Sequence, residues 1–223
     1  MKKIFLFASI VALFVSCSSK PKFELEVNIH NNFSLTNKRL VIVQNIDGKI
    51  VYSDTVRIGN NNFILEIPYE GPALLNISIL QTDINNIMMA AEKGRVQLTI
   101  EGAKTNIGGT PINERLQTFY NGNDSVSLLF EQLGKKYSLQ NNTEPLTAKA
   151  KEELRLKSEE FRQKRTQLLI ENTDRLVAFI RENVDNPIGE YYFMTSYITF
   201  NVEKKLELNS FATEKLKKEF GIK

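Results

Sequence analysis

The chain of 223 residues carries one cysteine, Cys17, and one histidine, His30. Those two counts bound the chemistry before any fold is considered. A single cysteine excludes an intramolecular disulfide, a Cys-x-x-Cys redox pair and a cysteine-rich zinc site. A Ser-His-Asp triad would have to use His30, which ends an alternating segment beside Asn31-Asn32, and the chain has no Gly-x-Ser-x-Gly elbow. Asp83, Asn85 and Asn86 lack the spacing of an EF-hand loop. Gly108-Gly109 lacks the Gly-Lys-Ser/Thr ending of a phosphate loop. Glu152-Glu153 and Glu159-Glu160 fall on a charged helical stretch, where exposed acids solvate rather than shuttle protons. The expectation is a protein that is not an enzyme, with no catalytic residue, no metal and no cofactor.

The position of Cys17 is more informative than its solitude. Lys2-Lys3 is followed by an apolar or small run over residues 4–15, then Ser16 and Cys17. This is the grammar of a secretory signal peptide over residues 1–16. The run is short of the about 20 residues that a spanning helix needs. Phe14-Val15-Ser16-Cys17 resembles a bacterial lipobox, with Phe14 where Leu is usual. The resemblance implies cleavage before Cys17, a diacylglycerol on its thiol and acylation of the new α-amine. Residues 17–22 would then be a lipidated tether. Removing sixteen residues leaves a mature chain of 207 and, with Lys2 and Lys3 gone, lowers the net charge from +3 to +1. That charge is too small for a nucleic-acid footprint. The expected address is the cell envelope, with the membrane reached through the lipid on Cys17. Ser18 is not the Asp that resembles an inner-membrane retention signal, and no acidic cluster follows. Both points favour the outer membrane of a Gram-negative cell, facing the periplasm.

The elements that follow change period once. With 42% hydrophobic and 25% charged residues, the chain is ordinary globular material. From residue 23 to 110 the apolar period is two, as in Phe23-Glu24-Leu25-Glu26-Val27. Asp47-Gly48 between β-branched runs predicts a hairpin, and Gly59-Asn60-Asn61-Asn62 a second one. About seven short strands are expected. From residue 111 to 223 the period is helical. Thr110-Pro111 opens a first helix, with a break expected at Asn121-Gly122-Asn123, and Asn141-Asn142-Thr143 closes the segment. Residues 146–184 hold neither Gly nor Pro, so one long charged helix is expected, with Glu153–Lys157, Glu160–Lys164 and Glu171–Arg175 as i,i+4 pairs. Asn186-Pro187 starts a third helix, and a fourth, charged one starts near Ser210 and ends at Gly221. The fold class is α+β: an N-terminal antiparallel β-sandwich over residues 23–110, followed by a C-terminal helical region over residues 111–223.

The third helix is the most aromatic part of the chain. Phe193, Tyr197 and Phe200 share one face, expected to pack on the sandwich. Tyr191 and Tyr192 cannot both lie on that face, so one is expected outside it, as a candidate partner surface. Asp54-Thr55-Val56 and Asp124-Ser125-Val126 resemble short sites glycosylated on oxygen, which makes Thr55 and Ser125 candidate O-glycosylation positions.

The order of motifs resembles a known accessory region. It runs from the lipobox through Asp-Thr-Val and a Gly-Asn-Asn-Asn-Phe turn to Glu92-Lys93-Gly94. Gly108-Gly109-Thr110-Pro111-Ile112-Asn113 and Asn186-Pro187-Ile188-Gly189 follow. This resembles domain of unknown function 4369 over residues 23–222. In that family the region precedes a thioredoxin-like domain of thiol–disulfide oxidoreductases. The resemblance implies architecture and compartment without a catalytic residue, since the Cys-x-x-Cys pair would follow the region ending near Gly221. The expectation is an accessory region without the thioredoxin domain, acting as an envelope binding protein of unknown ligand. A thioredoxin-like or other envelope protein is the expected kind of partner. A truncated or split oxidoreductase component working in trans, and a glycan-binding lipoprotein, are the alternatives. The absence of Trp counts mildly against the last. Cys17→Ala is expected to abolish incorporation of a tagged fatty acid and to leave the precursor unprocessed at this site; equal labelling of variant and parent refutes the lipobox reading.

Overall fold

The computed structural model describes residues 21–31, 33–137 and 147–222. The signal peptide, Cys17 with most of the tether, and the Asn141-Asn142-Thr143 boundary lie outside the described residues. Eight strands come first: β1 (Lys22–His30), β2 (Arg39–Ile46), β3 (Lys49–Arg57), β4 (Asn62–Pro68), β5 (Ala73–Ile79), β6 (Ile87–Ala91), β7 (Arg95–Glu101) and β8 (Lys104–Gly108). Five helices follow: α1 (Pro111–Tyr137), α2 (Ala148–Asn183), α3 (Pro187–Thr199), α4 (Val202–Asn209) and α5 (Glu214–Phe220). The α+β architecture is as the periodicity predicts.

The strands form two four-stranded sheets, ordered β4-β1-β7-β8 and β3-β2-β5-β6. Alternation does what the period of two requires. In β1 it buries Phe23, Leu25, Val27 and Ile29 between the sheets. Each such side chain stabilises the fold by about 1.5–3 kcal/mol. Glu24 and Glu26, on the other face, meet their register neighbours across the ladder: Arg95 donates to Glu24 at 2.7 Å and Gln97 to Glu26 at 3.0 Å.

Three expectations about the strands are corrected. The β1–β7 ladder is parallel, so the first sheet is mixed rather than antiparallel. The strand count is eight, because Gly102, with φ of 61°, turns β7 back into β8. The Asp47-Gly48 hairpin forms, both residues having positive φ. Gly59-Asn60-Asn61-Asn62, however, does not join a hairpin. β3 pairs with β2 and β4 pairs with β1, so the chain crosses there from one sheet to the other. Turn residues encode a reversal of direction, not the partner that the next strand will find. Buried Ile58 anchors the crossing: its N–H donates to the Lys38 carbonyl at 2.9 Å, and its own carbonyl accepts from Asn37 at 2.8 Å.

One buried side chain joins sheets to helices. Asn113, fully buried in the first turn of α1, accepts from the Ala90 N–H at 2.8 Å and donates to the Ala90 carbonyl at 2.9 Å. Ala90 lies on β6, the outermost strand of its sheet, so the amide stands in for a missing neighbour. Its Nδ2 also donates to Thr110 Oγ1 at 2.8 Å. Glu92 accepts from the Ile112 and Asn113 N–H groups, placing a carboxylate at the positive end of α1. One turn on, Gln117 accepts from the Ile107 N–H of β8, the outermost strand of the other sheet, at 2.6 Å. α1 therefore closes one flank of both sheets, the standing remedy for an exposed edge. Gly109 permits the approach: its φ is 82°, and a Cβ there would collide with the Arg95 carbonyl oxygen.

The helical half also departs from expectation in places. α1 does not break at Asn121-Gly122-Asn123. Gly122 instead makes room for Arg175 of α2, which donates to the Gly122 carbonyl at 2.7 Å and to Asn123 at 2.6 Å. Of the three predicted ion pairs, Glu160–Lys164 forms at 2.7 Å, while Arg175 is taken by α1. The expected fourth helix is α5, capped by Thr213 and ended at Gly221, and an additional short helix, α4, capped by Asn201, precedes it. Phe193, Tyr197 and Phe200 pack among the helices with Leu216 and Phe220 and not on the sandwich, because α5 covers that face of α3. No helix among the described residues is long and apolar enough to cross a membrane.

Asn113→Ala leaves a buried N–H and C=O without partners and is expected to cost about 2–4 kcal/mol. That is a fall in Tm of roughly 5–15 °C for a chain of this size. Asn113→Asp, which keeps the acceptor and loses the donor, should be no better. A calorimetric melt showing either variant at the parent's Tm contradicts the assigned role.

Candidate functional site

The outer face of the β3-β2-β5-β6 sheet, turned away from the sandwich core, carries a recess that combines an exposed aromatic ring with free polar groups. Register sets its floor. Val43 of β2, Asn76 of β5 and Met88 of β6 lie in one row; Val41 and Ser78 lie in the next. Tyr191, Tyr192 and Thr195 of α3 and Tyr120 of α1 make the wall, and Asn86 completes the rim. The cleft holds about 700 Å³, within the ordinary range for a small-molecule site. None of its lining residues is charged.

α3 is aimed at this sheet by its first turn. Asn186 caps it, accepting from the Ile188 and Gly189 N–H groups at 3.0 and 3.2 Å, and Pro187 fills the first turn, where its missing N–H costs nothing. Gly189 lets the helix start against the end of α2, since a Cβ there would collide with the Asn183 carbonyl. Asn183 is itself pinned, donating to Phe179 O at 2.8 Å and accepting from Arg115 at 3.0 Å. Across the gap to the sheet, Lys215 of α5 bridges Asp47 in the β2–β3 turn at 2.5 Å and Glu190 of α3 at 2.7 Å. Partial burial opposes that ammonium, yet the two carboxylates hold its pKa above the ordinary value.

The two tyrosines singled out by sequence have different surroundings. Tyr192 is half-buried: its ring meets Phe119 and Phe179 edge-on, with centroids at 5.4 and 5.5 Å, and those two stack on each other at 4.3 Å. Tyr191 is 40% exposed at the cleft mouth and touches Tyr192 edge-on. Tyr120, missed by the sequence reading, lines the back and donates to the Met88 carbonyl at 3.3 Å. Burial, with the nearby Tyr192 phenol, pushes the Tyr120 hydroxyl well above the usual phenol range, and burial raises Tyr192 too. Both are neutral phenols at any physiological pH. Asn76 and Ser78 were also missed. The period of two along β5 already puts both on the face opposite Leu75 and Ile77, and only the question of what covers that face was hidden.

The remaining sequence candidates lie elsewhere. Thr55 is exposed on β3, one strand beyond the cleft floor and opposite Val41. Ser125 is exposed on α1, its hydroxyl donating to the Asn121 carbonyl at 2.9 Å. His30 is exposed at the end of β1. A second recess of about 490 Å³ between α1 and α2 is lined by Glu114, Arg115, Arg175 and Glu182, with both guanidiniums already donating to helix partners.

Residues 23–116 match the family model described as Domain of unknown function (DUF4369). The resemblance read from the motifs holds over that span: all eight strands and the opening of α1, through Asn113. The cleft floor lies inside the match and its tyrosine wall beyond it. Among curated proteins, none matches the chain. Tyr191→Ser is expected to change the Tm by less than about 2 °C. Tyr192→Ser, which empties a packed aromatic cluster, should cost about 2–4 kcal/mol. Equal losses for the two would place Tyr191 in the core.

Proposed function

We propose that this chain is a non-enzymatic, lipid-anchored binding protein of the cell envelope, held at the outer membrane through Cys17 and facing the periplasm. The signal-peptide and lipobox pattern supports the address. The observation that carries the binding reading is the cleft between α3 and the outer sheet face. It pairs an exposed ring at its mouth with half-buried polar side chains on its floor. Sites that bind without reacting have this character: apolar surface for contact, and a few fixed polar groups for orientation.

The redox alternative asks for more than these residues hold. Thiol–disulfide exchange by a dithiol needs a second sulfur to resolve the mixed disulfide, and Cys17 is the single cysteine of the sequence. A split oxidoreductase would need a thioredoxin-like partner bringing both sulfurs.

The binding reading is tested by retention. Full-length protein immobilised away from the cleft is expected to hold back a reproducible component of solubilised native envelope, whether protein or carbohydrate. Tyr191→Ser is expected to lose most of it. Ile64→Ser, on the exposed outer face of the other sheet, should lose none. Retention indifferent to Tyr191, or no retention at all, refutes the reading.

A further inference from the structure

The lining of the cleft narrows what it can hold. No Lys, Arg, Asp or Glu lines it, and its buried phenols stay neutral, so nothing there would compensate an ionic ligand for lost hydration. Its floor is the face of a sheet whose strands β2 and β5 are interior, with ladder partners on both sides. Their backbone groups are spent, so a peptide could not add itself as a strand. Recognition must run through side chains.

Those side chains are polar where an acyl chain would want none. Asn76 is half-buried in a central strand, between Val43 and Met88 in the cross-strand row. Asn is a poor strand residue, and no hydrogen bond to another described residue uses its amide. The Asn86 amide is likewise uncommitted. Ser78 Oγ accepts from the Asn86 N–H at 3.1 Å, which leaves its own proton to donate. Covering such groups with hydrocarbon would cost about 1–3 kcal/mol each. The Tyr191 ring at the mouth asks for the opposite, an apolar face laid against it. A side-chain amide and a hydroxyl on the floor, a second amide and an aromatic ring at the rim, and no charge in the lining together describe a site for a molecule that is rich in hydroxyls, uncharged, and apolar on one face.

Resting on the binding reading above, we propose that the cleft binds a neutral saccharide, with a sugar ring laid on Tyr191 and its hydroxyls bonded by Asn76, Ser78 and Asn86. Tyrosine here fills the role of the absent Trp.

Titration calorimetry on the full chain tests this with maltotriose, cellotriose and triacetylchitotriose as neutral probes, and trigalacturonate as the charged counterpart. The first outcome expected is saturable binding of at least one neutral probe, with trigalacturonate at least tenfold weaker. The second is at least a tenfold loss of that binding in both Tyr191→Ser and Asn76→Leu. Melting temperatures near that of the parent show that both variants remain folded, and if Asn76→Leu does not fold, Ser78→Ala takes its place. No binding of any neutral probe, equal binding of trigalacturonate, or binding that survives both substitutions overturns the proposal. The retention experiment separates the two claims. Tyr191-dependent retention of envelope protein without saccharide binding sinks the saccharide and spares the binding role, whereas retention indifferent to Tyr191 sinks both.

Discussion

The side-chain amide of Asn113 is the joint on which the rest of the molecule turns. Ala90, on the outermost strand of its sheet, points its N–H and C=O away from the ladder, and burial denies both groups water. An unpaired buried backbone group costs about 1–3 kcal/mol, so a helix could lie against this edge only by bringing a donor and an acceptor side by side. A carboxamide supplies both in one plane. Thr110 and Glu92 hold it in place, and Glu92 also serves the N–H groups of the helix start. The Gly-Gly-Thr-Pro-Ile-Asn run is thus a docking device: a glycine for close approach, a cap, a proline at the first position and the amide.

Everything downstream inherits its position from that contact. α1 carries Phe119 to Phe179 and opens space at Gly122 for Arg175, which fixes α2. α2 ends at Asn183, against which Gly189 starts α3. α3 is then held between two apolar clusters, Tyr192 turned toward the sandwich and Phe193 toward α5. The cleft is what remains between α3 and the sheet once those contacts are made. Its floor belongs to the matched family region, and its wall is built by helices placed through Asn113.

Some features were legible because they are local. The Asp47-Gly48 turn needs only two residues able to take positive φ. The starts of α1 and α3 are written in their caps and prolines, and the end of the last helix in Gly221, which adopts the left-handed cap. Other readings failed for reasons equally physical. The Gly59–Asn62 turn reads as a hairpin because a turn has the same composition whichever sheet the chain enters next. Gly122 reads as a break because its real cause, the Arg175 guanidinium, lies 53 residues away. The α4 start at Asn201 is also local, an Asn whose side chain accepts from the Lys204 N–H, but the charged residues that follow it hide the helical period.

What the sequence by itself determined is the change of period at Thr110 and the different helical directions of Tyr191 and Tyr192. Adjacent residues on a helix stand about 100° apart and so point in different directions. Tertiary structure alone decided the parallel β1–β7 ladder, the crossing of β3 to β4 between sheets, and the covering of the Asn76 face by α3. Periodicity tells which face of a strand is polar at no cost in range, since it is a property of a few consecutive residues. What that face meets depends on burial summed over the whole chain. Val43, Asn76, Met88 and Tyr191 come from four elements, and only the packed fold brings them to one cleft.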